Sequence, residues 1–308
     1  MKIYNHCVRI FVLCSLMIVH CVYSELDVDI NSNDVTLLST HEMRFCYISF
    51  VMIDGKKYIV KQKKSDCQRK LMGVVRDAIM AHFAENFINA HRVAIIPAGK
   101  AFIGKPRTDW PATIHTIAPG KMIKEQKSRY TSMKIKQADT GFRRDMLSWM
   151  SEHEMLMLIV AYDTFFCNHD RHRGNLFYDG MNDSFCAIDM DSSFKYNLCA
   201  LSCKNFKIML KSRKDFFKPK EIRALIKFKE LLQFLINRHN PADTVRMYDY
   251  FIKKAGLVEG AACFLPKFAL EIKDNKKVIM NSYQDVKRLV KIVDALIRKY
   301  QKNFYNGK

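Results

Sequence analysis

Residues 154–191 constrain this chain more than any other stretch. An apolar run, EMLMLIVAYDTFF, passes without a break into a polar knot, CNHDRHRGNLFYDG, and then into a second buried-looking run, SFCAIDMD. The first run reads as the body of a strongly apolar helix over 151–166. NLFY and FCAID read as two short strands flanking a turn at Gly180-Met181-Asn182-Asp183. A loop this polar, held between segments that want burial, is either a charged surface turn or a site that handles phosphate and metal.

The rest of the chain places that loop in an α+β layout. Residues 25–40 are polar and predict a loose lead-in. RFCYISFVMIDGKKYIVKQKK then gives two β-rich runs joined by Asp54-Gly55, a hairpin signal, with Lys61 closing the second run. A helix is predicted over 66–90, where Leu71, Val75, Ile79, Phe83 and Phe87 recur at i+4. HRVAIIPAGKAFIG and WPATIHTIAPGK predict further extended segments punctuated by Pro and Gly. Beyond 121 the chain turns helical, with helices expected near 219–238, 241–255 and 282–303. Two lobes follow, a β-rich one over 25–118 and a helical one over 119–308, hinged near 113–120.

At 308 residues and 49% apolar the chain has ample material for a core. Its formal net charge of +20 favours acidic partners such as nucleotides, phosphoinositides or acidic protein segments, without choosing among them. No recognition module for nucleic acid is apparent, so no specific nucleic-acid partner is expected. The first 24 residues carry Lys2 and Arg9, an apolar run from Ile10 to Val19, and Val22-Tyr23-Ser24. This predicts a signal peptide cleaved after Ser24 and an exported protein, with an uncleaved membrane anchor as the alternative. Cleavage would leave Cys46, Cys67, Cys167, Cys186, Cys199, Cys203 and Cys263, an odd set with no CxxC pair and no zinc-type Cys/His spacing.

Asp170, Asn175, Asp189 and Lys61 together match the needs of phosphoryl transfer. That reaction uses a carboxylate to receive the acceptor hydroxyl's proton, hard oxygen ligands for Mg²⁺, and a lysine on the nucleotide phosphates. HDRHRGN followed by IDMD resembles the D-R-H-x-x-N and I-D-[FN]-G motifs of the phosphatidylinositol 3-/4-kinase superfamily. It is also similar to the D-R-H loop of HipA-type kinases. Both have a protein-kinase-like, two-lobed fold, and YIVKQ resembles their nucleotide-lysine strand. The resemblance covers about residues 45–200 and implies ATP and Mg²⁺ as cofactors. It implies Asp170 as the catalytic carboxylate and His172 beside the transferring phosphoryl group. Asn175 and Asp189 would bind Mg²⁺, Lys61 would contact the phosphates, and Asp77 would pair with Lys61, with Glu85 as the competing acid.

The chain departs from the family in three places. No Gly-rich phosphate loop stands near 41–56, Asp77 is a methylene shorter than the family's Glu, and Asp191 replaces the Gly after the metal-binding Asp. Residues 204–220, KNFKIMLKSRKDFFKPK, carry seven basic residues against Asp215 where such kinases meet their acceptor. That strip is either a solvated helix face or a site for an inositol-phosphate headgroup or an acidic peptide. The expected activity is phosphate transfer from ATP to a hydroxyl of a protein or phosphoinositide. The alternative is a kinase-like nucleotide-binding or interaction module without catalysis.

Overall fold

The computed structural model describes residues 26, 28, 29, 34–64, 72–85, 87–123, 150–168, 170, 171, 174–194, 219–259 and 266–306, with backbone only at 266, 267 and 302–306. An antiparallel sheet opens the fold. It is built from β1 (Val35–Glu42), β2 (Cys46–Ile53), β3 (Lys56–Lys63), β4 (Val93–Ile96) and β5 (Ala112–Thr116) in the order β1-β2-β3-β5-β4. Helix α1 (Met72–Ala84) lies between β3 and β4 in sequence. The second sheet holds β6 (Lys121–Met122), β7 (Leu176–Asp179) and β8 (Ser184–Ala187), with α2 (Glu154–Phe165) ahead of β7. Helices α3 (Pro219–Arg238), α4 (Pro241–Lys254) and α5 (Pro266–Asn306) complete it. A β-rich first part and a helical remainder make this an α+β protein.

The β2–β3 hairpin forms where Asp54-Gly55 predicts it. Both residues are left-handed, at φ 48° and 73°, as a two-residue turn matched to strand twist requires. Three expectations are corrected. The lead-in expected over 25–40 contains an edge strand, β1, because a polar sequence can still pair its backbone when one flank is open to water. The helix expected over 66–90 is described only from Met72 to Ala84. Phe87 and Ile88 donate back to the Ala84 carbonyl and close it, and Phe87 packs on the core beyond its end. The last helix begins at Pro266 rather than near 282. Residues 112–116 form a strand between β3 and β4, within the extended segment expected over WPATIHTIAPGK, and the passage to the second sheet occurs over 117–120.

That passage turns on Gly120. Its φ is +80°, and a Cβ there would stand 2.3 Å from the Tyr178 carbonyl oxygen, so only glycine lets the chain enter β6 against β7.

Strand alternation decides which side chains meet. Tyr58 and Val60 face outward into a small core with Val51, Ile53, Ile96, Ala112 and Ile114. Lys61 and Lys63 take the opposite face, where Lys61 lies across from Thr113. Helix α1 covers that face and is buried nearly all round, including Arg76 and Asp77, rather than along one stripe. It shares one large core with α2, α3, α4 and α5. Phe166 sits within it against Phe83, Tyr162, Phe165 and Phe194; truncation of such a side chain costs about 3–5 kcal/mol. The buried Tyr162 hydroxyl donates to the Met80 carbonyl and ties α2 to α1.

Candidate functional site

Lys61 is the site's anchor on the first sheet. Its Nζ lies 2.5 Å from Asp189 Oδ1 and 3.7 Å from Asp191 Oδ2. Lys63, two residues on and therefore on the same face, donates to Asp191 Oδ2, while Lys64 turns to Glu42 at 2.5 Å. Burial works against the Lys61 charge, but Asp189, Asp191 and Asp77 outweigh it and hold the ammonium well above its usual range. The same lysines draw Asp191 well below the usual carboxylate range, although burial opposes its charge.

Asp189 follows β8 and has a left-handed backbone, φ 54°, which is uncommon for a residue with a Cβ and recurs at functional sites. Its side chain is 37% exposed, so the carboxylate edge not held by Lys61 can reach solvent. Asp191, by contrast, is enclosed. Arg76 Nε donates to its carbonyl at 2.7 Å, and Gly73 on α1 leaves room for it, since a Cβ there would lie 3.2 Å from Asp191 Cβ. Asp191, where the resemblance to the kinase families would put a Gly, is thus a lysine-paired acid.

Asp77 is buried, but among the described residues its ion-pair contacts do not include Lys61. Asp77 Oδ1 accepts from the Met190 N–H at 3.0 Å, next to Asp189. It also stands 3.5 Å from His91 Nε2, and its Oδ2 stands 3.8 Å from His115 Nε2. Burial raises the cost of its charge, yet the His91 and His115 contacts and the more distant Lys61 hold it below the usual carboxylate range. Burial pushes His115 down to about 3 against the pull of Asp77. The competing acid, Glu85, meets Arg92 at 3.0 Å instead.

The polar knot is held from beneath. Asp163, on α2, receives Arg171 through two bonds, Nε to Oδ2 at 2.8 Å and an amino nitrogen to Oδ1 at 3.0 Å. Arg171 then donates at 2.8 Å to the carbonyls of both Asn175 and Ile188. Burial opposes the guanidinium charge, but Asp163 raises it above its ordinary value. Asn168 Nδ2 donates to Asp163 at 2.8 Å, and its Oδ1 accepts from the Asp170 N–H at 3.2 Å. The Asn175 amide donates to the Asp170 carbonyl, and the Ile188 N–H to the Asn175 carbonyl at 3.1 Å. One buried ion pair therefore fixes the backbone around Asp170, Asn175 and Ile188 together.

Of the residues singled out in the sequence, Lys61 and Asp189 meet directly, and Asp170 and Asn175 are joined to each other. Asp77 touches the segment that carries Asp189. His172 lies outside the described residues, as do residues 1–24, 204–218, Cys67, Cys199, Cys203 and Cys263. Among the described residues, the buried Cys46 and Cys186 are free thiols. Asp163, Arg171, Lys63, Arg76, His91 and His115 were not foreseen. An acid inside the apolar run EMLMLIVAYDTFF was a readable signal for Asp163, since a buried carboxylate needs a partner.

No protein-family model and no curated protein matches the sequence. Among solved structures, the chain is similar to the Helicobacter pylori proinflammatory kinase CtkA. The identity is 9% and the TM-score 0.47, over 86% of this chain and 96% of that one. It is also similar to aminoglycoside phosphotransferase APH(4)-Ia, with 9% identity and a TM-score of 0.28 over 83% of this chain and 95% of that one.

Proposed function

We propose that this chain is an ATP- and Mg²⁺-dependent kinase that transfers the γ-phosphoryl group to a hydroxyl of a protein or a phosphoinositide. The observation that carries the reading is the meeting of Lys61 with Asp189 across two sheets, beside a loop whose Asp170 and Asn175 are fixed by a buried ion pair. The residues suit the nucleotide and its metal: Asp189 offers a partly exposed hard oxygen, Asn175 an amide oxygen, and Lys61 a cation for phosphate. ATP would supply the transferable phosphoryl group and Mg²⁺ the neutralisation of its charge.

The chain's own part is positioning and proton handling. Lys61 exchanges its Asp189 contact for phosphate oxygens, where a preorganised cation stabilises developing charge. Asp170 accepts the proton of the attacking hydroxyl; among the described residues no side chain bonds its carboxylate. His172 donates to the transferring group. Asp77 holds the Asp189 segment through Met190 rather than holding Lys61. The basic strip over 204–220 receives the acidic acceptor, and residues 1–24 direct export.

The test incubates purified full-length chain with γ-labelled ATP, Mg²⁺ and a panel of protein and phosphoinositide acceptors. Label should pass to one acceptor class, and Asp170→Ala should abolish transfer while keeping the parent's far-UV circular dichroism. ATP binding without transfer to any acceptor would support the interaction module. Transfer undiminished in Asp170→Ala would overturn the assignment of the base.

A further inference from the structure

Beside the Lys61–Asp189 pair lies a second cluster that phosphate transfer does not use. Asp77 from α1, His91 from the segment before β4, and His115 from β5 bring one ligand atom each to within 4.8 Å of one another, and all three are buried. We propose that Asp77, His91 and His115 bind one divalent transition-metal ion, with Zn²⁺ the ion that best suits two imidazoles and a carboxylate.

Three observations support the site. The first is charge. A buried carboxylate has to be paired with a cation or coordinate a metal. Lys61 and Lys63 are taken by Asp189 and Asp191, and Arg76 by Glu271 at 2.9 Å, which among the described residues leaves Asp77 with two imidazoles and one backbone N–H.

The second is an orphaned atom. Among the described residues His91 Nε2 is buried without a hydrogen-bond partner, and it faces Asp77 Oδ1 at 3.5 Å, too far for a good bond. The other ring nitrogen, Nδ1, lies 3.2 Å from the Ala187 carbonyl. An imidazole that gives its Nδ1–H to a backbone carbonyl presents an Nε2 lone pair, the form in which metal-bound histidines are held. His115 Nε2 lies 2.7 Å from the Thr113 hydroxyl, which satisfies it when no ion is bound.

The third is spacing. Ligands of a tetrahedral zinc ion stand about 3.3 Å apart, given metal–ligand bonds of roughly 2.0–2.1 Å. Asp77 Oδ1 stands 3.5 Å from His91 Nε2, and the three ligand atoms, one from each residue, all lie within 4.8 Å of one another, an excess that side-chain rotation can close. His91 also lines an open groove of about 450 Å³ with Glu85, Asn89 and Arg92, which gives the ion a route in.

Such an ion would join α1, β5 and the chain beside β8, and Asp77 would still hold Met190, the residue after Asp189. The site is independent of the kinase reading and distinct from the Asn175–Asp189 pair. The experiment strips the full-length chain with a chelator and titrates it with Co²⁺, reading the visible d–d absorption. About one Co²⁺ per chain should bind and be displaced by Zn²⁺. His91→Gln and His115→Gln should each weaken binding at least about tenfold, and Asp189→Asn should leave it unchanged. No binding by the parent would overturn the proposal, as would binding unaffected by both histidine changes or lost with Asp189→Asn. If either histidine variant loses its far-UV circular dichroism, X-ray absorption at the zinc edge of the loaded parent decides. Two imidazoles and no sulfur support the site; fewer imidazoles, or sulfur, overturn it.

Discussion

Lys61 on β3 and Asp189 after β8 stand 128 residues apart in the chain and 2.5 Å apart in space. The pair joins the first sheet to the loop that follows the second, and the backbone of Asp189 is left-handed where they meet. Four networks converge on that contact: Lys63 with Asp191, Arg76 with the Asp191 carbonyl, Asp77 with Met190, and Arg171 with Ile188. Each makes a separate demand on the molecule.

Asp163 and Arg171 form a buried, two-bond ion pair. Asp163→Asn keeps the shape but leaves the guanidinium without its charge partner. The expected loss is about 3–5 kcal/mol of unfolding free energy, read by denaturant titration. A loss below about 1 kcal/mol would show that the pair does not hold the loop.

Two glycines with positive φ separate conformational strain from a clash. Gly55 at φ +73° has open space where a Cβ would go, whereas Gly120 at φ +80° has the Tyr178 carbonyl there. Gly55→Ala should cost about 1 kcal/mol. Gly120→Ala should cost more, on the order of 3 kcal/mol, because the β6–β7 pairing must shift. Equal melting temperatures for the two variants would contradict this account of the crossover.

His239 is packed among Phe83, Phe165 and Phe166, and burial, with Arg238 and His82 adding to it, pushes its pKa down to about 4. Its folded value is below its unfolded value of about 6.5, so the unfolded chain binds more protons between those limits. Stability therefore falls as pH drops from 6.5 towards 4, by on the order of 2 kcal/mol after allowance for partial exposure. His239→Phe should flatten that part of a melting-temperature profile. An unchanged slope would remove His239 as its source.

Much of this was legible in the sequence because the signals were local. Asp54-Gly55 demands a hairpin turn, and the jump from EMLMLIVAYDTFF to CNHDRHRGN demands a supported loop. The edge strand β1 was hidden because its partner supplies its order: VTLLSTHE has no inward apolar face of its own. On the helix face that carries Asp77 the sequence places Gly73, Ala81 and Ala84, all small and apolar. What that face packs against was not legible, since Gly73 meets Asp191, more than a hundred residues later. The replacement of a Lys61–Asp77 pair by Lys61–Asp189 has the same origin. Once Met190 and two histidines occupy the short Asp77 side chain, the lysine turns to the acid across the sheets.

The most direct measurement of the central claim is the equilibrium affinity for ATP, with and without Mg²⁺, of the full-length chain and of Lys61→Met. Lys61 is 13% exposed and Asp189 37%, so water can take up the released carboxylate and the variant should keep the parent's far-UV circular dichroism. The account predicts that Mg²⁺ tightens ATP binding to the parent and that Lys61→Met weakens it at least about tenfold. A parent that does not bind ATP, or a folded Lys61→Met that binds it equally well, would contradict the assignment of this pair to nucleotide phosphate.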